Sequence, residues 1–147
     1  DCSGKILTGF HIVRAMALGA DFCNSARAMM LALGCIQALE CNKNTCPTGV
    51  ATQDPYFMKG LNITDKAGRV TNYHHNTVAS FVELLSCSGL DNPEKINRSH
   101  VYRRVFMNMV KTYEEIYPPL PEGCLLDGGD APIEFEGYLN KASAEVF

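Results

Sequence analysis

No basic field runs along this sequence. Its 147 residues carry 13 Lys and Arg against 16 Asp and Glu, a formal net charge of -3. Neutralising a phosphate backbone takes a broad positive surface, so nucleic acid is not expected as a partner. Arg103-Arg104 is the densest basic spot and reads as a solvated edge. No apolar run is long enough to span a bilayer, which takes about 20 residues. The longest, 28–39, is interrupted by Gly34 and Gln37, so no membrane is expected either. The opening residues, Asp1-Cys2-Ser3-Gly4-Lys5, show neither a basic n-region nor an apolar h-region. Without sign of secretion, seven cysteines are not read as a disulfide scaffold, and the odd number would leave one unpaired. The chain is read as intracellular, cytoplasmic or plastidic, with reduced thiols available to a metal. Internal repeats are absent, and so is an initiator Met. The chain opens in what reads as the middle of an element, as a fragment would.

What is present is an ordinary globular composition, 46% hydrophobic and 20% charged, in a length that makes one domain or part of one. Residues 1–5 read as the tail of a strand entering a Gly loop. Thr8 caps a helix over 9–18, with Phe10, Val13, Met16 and Ala17 at helical spacing and Gly19 as its stop. Residues 20–23 read as a short buried strand. Asn24 or Ser25 caps a helix over 26–39, apolar on nearly every face and therefore expected to be deeply packed. Loop, helix, strand and helix with short connections are the rhythm of a βα-repeat fold.

A polar loop (40–55) and a linker (56–65) follow. An amphipathic helix is expected over 66–88, capped by Asp65 and ended by Gly89, with Val70, Tyr73, Thr77, Val78, Phe81, Leu84 and Leu85 as its stripe. Asn92-Pro93 opens a short helix. Ser99 caps a turn through 101–105, and 110–116 reads as a weak helix stopped by Pro118-Pro119. From Leu120 on, Pro121, Gly123, Gly128, Gly129 and Pro132 predict irregular chain.

Two stretches carry chemistry. The first pairs the Ser3-Gly4-Lys5 loop with the turn Asn24-Ser25-Ala26-Arg27, each opening a helix. If the two strands are adjacent and parallel, both turns open at one end of the sheet. Gly4 would let backbone approach an anion. The amides opening the second helix would hold it, with Lys5 and Arg27 adding charge. In (β/α)8 barrels a phosphate commonly sits at the loops after the last two strands. An ordinary connection with capping residues would carry the same Gly loop.

The second stretch is Gly34-Cys35-Ile36-Gln37-Ala38-Leu39-Glu40-Cys41-Asn42-Lys43-Asn44-Thr45-Cys46-Pro47-Thr48-Gly49, a C-x5-C-x4-C pattern. Zinc favours four ligands and paired C-x2-C spacings, and neither is found. His74 and His75 are adjacent and would point about 100° apart on a helix, which is not chelate geometry. Thiol catalysis needs one activated cysteine with a base. Three thiolates at uneven spacing match an iron–sulfur cluster, a three-iron, four-sulfur cluster first and a cubane with a fourth non-cysteine ligand second. Spacing alone leaves plain structural thiols equally open. Cys2, Cys23, Cys87 and Cys124 show no comparable clustering.

The run GCIQALECNKNTCPTGVATQDP (34–55), with GADFCNSARAMMLA (19–32), resembles the FMN-binding domain of glutamate synthase. The likeness is strong over about 3–55 and looser through Tyr73-His74 and 100–104, where it is similar to the short, stand-alone FMN-binding branch of that family. The resemblance implies Cys35, Cys41 and Cys46 as cluster ligands. It implies Ser3, Gly4, Lys5, Ala26 and Arg27 as the phosphate end of an FMN site. The implied fold is α/β: the last two βα units of a TIM (β/α)8 barrel over 1–55, then a mainly helical extension over 56–147. The implied reaction reduces the imine of 2-oxoglutarate and glutamine-derived ammonia to L-glutamate. Electrons would come from an NAD(P)H-linked flavoprotein or ferredoxin. The substrate-binding strands and the glutaminase domain are expected outside these residues, and no catalytic residue is assigned. Cys2 follows Asp1 in a barrel-loop context and is not taken for a glutaminase nucleophile. Two further readings are a non-catalytic iron–sulfur electron-transfer module and a helical interaction subunit whose cysteines bind nothing.

Overall fold

A computed structural model describes residues 1–126 and 131–145. The chain begins as a βαβ unit. Strand β1 (Cys2–Ser3) runs into helix α1 (Gly9–Ala17), which returns to β2 (Cys23–Asn24). The strands pair in parallel, with Cys2 opposite Cys23 and Ser3 opposite Asn24. Thr8 caps α1 by accepting the His11 N–H.

Helix α2 (Arg27–Leu33) is half the expected length. Gly34 takes φ 104°, a left-handed conformation that glycine adopts without steric cost. The Gly34 N–H then donates to Leu31 O and the Cys35 N–H to Met30 O, both at 3.0 Å, closing a Schellman cap. The cap therefore places Cys35, which lies beyond the helix. Deep packing of this run is also corrected. Only Ala28 of α2 is buried, while Leu31, Ile36 and Leu39 are exposed.

The cysteine loop includes a 3-10 turn (Cys41–Lys43) and ends in α3 (Pro55–Met58), which runs into what reads from sequence as a linker. Helix α4 (Ile63–Cys87) is the longest element. Asn62, not Asp65, is its N-cap, accepting the Asp65 N–H at 3.2 Å. The apolar stripe faces inward except for Val78, with Leu85 buried. Helix α4 lies along both α1 and α2. At Gly9 the approach is so close that a Cβ would stand 2.5 Å from Phe81 N. The Tyr73 hydroxyl donates to Leu7 O at 2.6 Å and ties α4 to the loop after β1.

The extension is not helical throughout. Instead of a turn over 101–105 and a helix over 110–116, β3 (Tyr102–Phe106) and β4 (Met109–Thr112) form an antiparallel hairpin bulged near Arg104. Aromatic and β-branched residues at Tyr102, Val105, Phe106, Val110 and Thr112 favour the extended chain. Helix α5 (Tyr113–Ile116) follows, with Thr112 and Glu115 as a capping box. Helix α6 (Ile133–Leu139) stands where irregular chain is expected, and Gly128 and Gly129 lie outside the described residues. The core gathers Val13 and Ala17 of α1, Leu85 of α4, and Ile96, Val101 and Tyr113. The architecture is thus mixed α/β, with two small sheets and a largely helical C-terminal part. Among the described residues, no helix is long and apolar enough to cross a membrane.

Candidate functional site

The parallel register of β1 and β2 sets the Ser3-Gly4-Lys5 and Asn24-Ser25-Ala26-Arg27 turns side by side. The Ser25 hydroxyl reaches across to Ile6 O at 2.8 Å, and the Asn24 amide donates to Asp1 Oδ1 at 2.9 Å. Gly4 and Lys5 have φ of 94° and 57°. Ser3, Gly4, Lys5, Ala26 and Arg27 are all exposed. Ala26, the N-cap of α2, offers no side-chain oxygen to the first-turn amides.

The thiols differ in surroundings. Cys35 is half-buried, and its sulfur accepts the Gln37 N–H at 3.4 Å. Cys41 is exposed on the 3-10 turn. Cys46 is buried, with Sγ 3.4 Å from Thr48 Oγ1. The Thr48 hydroxyl, then the backbone N–H groups of Ala51, Thr48 and Val50, pull the Cys46 thiol down to about 7 against the opposing effect of burial. Of the remaining cysteines, Cys87 is exposed and Cys124 buried. Burial, with the neighbouring Cys2 thiol, pushes Cys23 up.

The loop is closed by its own polar groups. Asn44, at φ 62°, accepts the Gln53 N–H at 2.6 Å and the Thr52 hydroxyl at 3.2 Å. Glu40 holds both Lys43 (3.2 Å) and Thr45 (3.0 Å). Gly49 sits at φ 75° against α3, where a Cβ would stand 2.5 Å from Phe57 O. Among the described residues, every non-glycine residue of positive φ lies in one of these two stretches: Lys5 in the first, Gln37, Leu39 and Asn44 in the second. Backbone strain of this kind gathers at ligand clamps and active sites.

No three His, Cys, Asp or Glu side chains among the described residues are grouped to hold a metal ion. A single ion needs its sulfurs within about 2.3 Å of one point. In a multi-iron cluster the thiolates bind different irons and stand farther apart. The donor set itself fits such a group: three thiols on one loop, Cys35 accepting the Gln37 N–H, Cys46 hydrogen-bonded with the Thr48 hydroxyl and poised to ionise near neutrality. A cleft of about 500 Å³ adjoins it, lined by Gly34, Cys35, Pro47, Thr48, Lys66 and Arg69, among others. The last two come from the first turns of α4, where sequence reasoning assigned no functional residue. Their i, i+3 spacing on a helix was the available signal, but what they face is fixed by packing against a loop distant from them in sequence.

Residues 1–91 match the family model described as a conserved region in glutamate synthase. The glutamate synthase large subunit-like protein YerD of Bacillus subtilis is 46% identical over 102 residues, 69% of this chain and 19% of YerD. The archaeal glutamate synthase (NADPH) of Methanocaldococcus jannaschii is 35% identical over 94 residues, 64% of this chain and 18% of that protein. The glutamate synthase (NADPH) large chain of B. subtilis is 42% identical over 59 residues, 40% of this chain and 4% of that one. The chain thus spans about a fifth of YerD's length, and less of the large chain. No solved structure matches it. With the family's conserved region covering both candidate turns and the cysteine loop, the chain belongs to the glutamate synthase family.

Proposed function

We propose that this chain is the cofactor-holding end of a glutamate synthase-type oxidoreductase. In this reading β1, α1, β2 and α2 are the last two βα units of a (β/α)8 barrel. Cys35, Cys41 and Cys46 bind an iron–sulfur cluster, most simply of three irons and four sulfurs. Ser3, Gly4, Lys5, Ala26 and Arg27 take the phosphate of FMN. When bound, the flavin supplies hydride chemistry and the cluster single-electron transfer. The observation that carries the reading is the Cys46 thiol, 3.4 Å from the Thr48 hydroxyl and drawn toward its ionised form by that hydroxyl and the backbone N–H groups of Ala51, Thr48 and Val50, within the family's conserved region. Such donors stabilise a thiolate and tune the potential of a cluster bound to it.

This chain's own residues have defined tasks. Gly4 and Lys5 present backbone, Lys5 and Arg27 supply positive charge, and Ser25 keeps the two turns in register through Ile6 O. The Schellman cap at Gly34 links the helix opening at the phosphate turn to Cys35, so α2 is a spacer between the two cofactors. Binding of 2-oxoglutarate, delivery of glutamine-derived ammonia and docking of an NAD(P)H-linked flavoprotein or ferredoxin would fall to other parts of the protein or to partner proteins.

The test is metal content after anaerobic reconstitution. Cys41→Ser should lose iron and sulfide, whereas Cys87→Ser, on the exposed end of α4, should load like the unmodified chain. Equal iron in both variants would refute the ligand assignment.

A further inference from the structure

Lys66 and Arg69 stand one turn apart on α4 and both border the end of α2, Lys66 half-buried and Arg69 exposed. A Cβ placed on Gly34 would lie 3.4 Å from Lys66 Nζ and 3.8 Å from Arg69 Nη1. Both cations therefore sit beside the residue that precedes Cys35. The Lys66 side chain is only 19% exposed, which limits how far water screens its charge. Among the described residues its one ion pair is with the adjacent Asp65 at 3.2 Å, and that carboxylate is largely in solvent. Among the described residues no carboxylate pairs with Arg69. Of the acids of the cysteine loop, Glu40 is already engaged by Lys43 and Thr45, and Asp54 caps α3 by accepting the Tyr56 N–H. Two positive charges thus border a cleft whose other wall carries Cys35, Pro47 and Thr48.

We propose that Lys66 and Arg69 raise the reduction potential of the iron–sulfur group held by the cysteine loop, by stabilising the additional negative charge it carries when reduced. The inference rests on the cluster reading given above. A cluster with thiolate ligands gains one negative charge on taking up an electron, and net charge nearby is one of the determinants of its potential. A unit positive charge at about 10 Å, with an effective dielectric of about 20, favours the reduced form on the order of tenfold. The same cations face the negative end of the α2 dipole, so each also contributes to local stability. Stability alone would not distinguish the two roles, but the potential does.

The experiment is a redox titration of the anaerobically reconstituted chain followed by electron paramagnetic resonance. Lys66→Gln and Arg69→Gln should each lower the ratio of reduced to oxidised cluster about tenfold at a given ambient potential, or about 59 mV. Iron content should stay that of the unmodified chain. Lys66→Arg and Arg69→Lys keep the charge and should titrate close to the unmodified protein. Where one Gln variant does not load iron, the other site carries the same comparison. Full iron with unchanged potentials in the Gln variants overturns the inference and leaves the cluster assignment standing. Equal shifts in the charge-keeping variants overturn it as well. An unmodified chain that takes up no iron and sulfide overturns the cluster reading, and this inference with it.

Discussion

Replacing Gly9 by alanine tests the contact that holds α4 against the βαβ unit. In an open helix, Gly→Ala gains about 1 kcal/mol from backbone entropy. At Gly9 the new Cβ would stand 2.5 Å from Phe81 N, 2.9 Å from Ser80 C and 3.0 Å from Phe81 Cα, all of them backbone atoms. No rotamer change relieves such a clash, so α1 and α4 must part until ordinary contact near 3.4 Å is restored. That opens the seam where Val13 and Ala17 pack against Phe81, Leu84 and Leu85. Overpacking costs about 1–3 kcal/mol, which outweighs the propensity gain. With backbone atoms on the far side of the clash the cost falls in the upper part of that range, about 2–3 kcal/mol, so the expected net loss is about 1–2 kcal/mol, a fall in Tm of about 3–8 °C for a chain of this size. Gly68 is the internal control. It lies within α4, and a Cβ there would meet no atom within 4 Å. Gly68→Ala should stabilise by up to about 1 kcal/mol. Thermal unfolding of both variants by circular dichroism gives the answer. A Gly9→Ala protein as stable as the parent would refute the α1–α4 packing, and with it the position of the loop after β1.

Tyr73→Phe removes the 2.6 Å bond to Leu7 O and should cost about 1 kcal/mol in denaturant unfolding; no change would mean that the tie is not formed. In the metal-free chain, the Cys46 thiolate absorbance should titrate near pH 7, and Cys46→Ser should abolish that component. The folded value lies below the ordinary 9.0, so the stabilisation is complete above the unfolded value and is lost as pH falls through about 7. The stability gap between parent and Cys46→Ser should therefore widen from about pH 7 to pH 9, and a flat gap would contradict the hydrogen-bonded thiol. Asn44→Ala should speed proteolysis within 40–55 with little change in Tm, because left-handed backbone costs a non-glycine residue about 1–2 kcal/mol and the bonds that the side-chain oxygen accepts from Thr52 and the Gln53 N–H are lost, leaving only the Thr52 bond to Asn44 O; cleavage at the parent rate would show that the Asn44 side chain does not close the loop.

Helices with both a cap and a clear apolar period were legible in the sequence. Thr8 and Gly19 bracket α1, and the stripe from Val70 to Leu85 marks α4. Where period and glycine conflict, as at Gly34, the left-handed backbone ended α2 although apolar residues continue to Leu39. The hairpin was missed because the four-residue strand Met109–Thr112 is too short to show alternation clearly. At the candidate sites, the turns and thiols could be named from type and spacing. The adjacency of the turns depended on the parallel register of β1 and β2, which only long-range pairing decides. Lys66 and Arg69 were invisible for the same reason, since nothing within α4 tells which loop it will face.

The central claim is that the cysteine loop binds an iron–sulfur cluster rather than a single ion or nothing. Its most direct test is the ratio of iron to acid-labile sulfide to protein in the anaerobically reconstituted chain, read with its visible and electron paramagnetic resonance spectra. The account predicts a brown protein with about three irons and four sulfides per chain, paramagnetic when oxidised. A colourless chain without iron, or one that binds zinc stoichiometrically through the same cysteines, would contradict it.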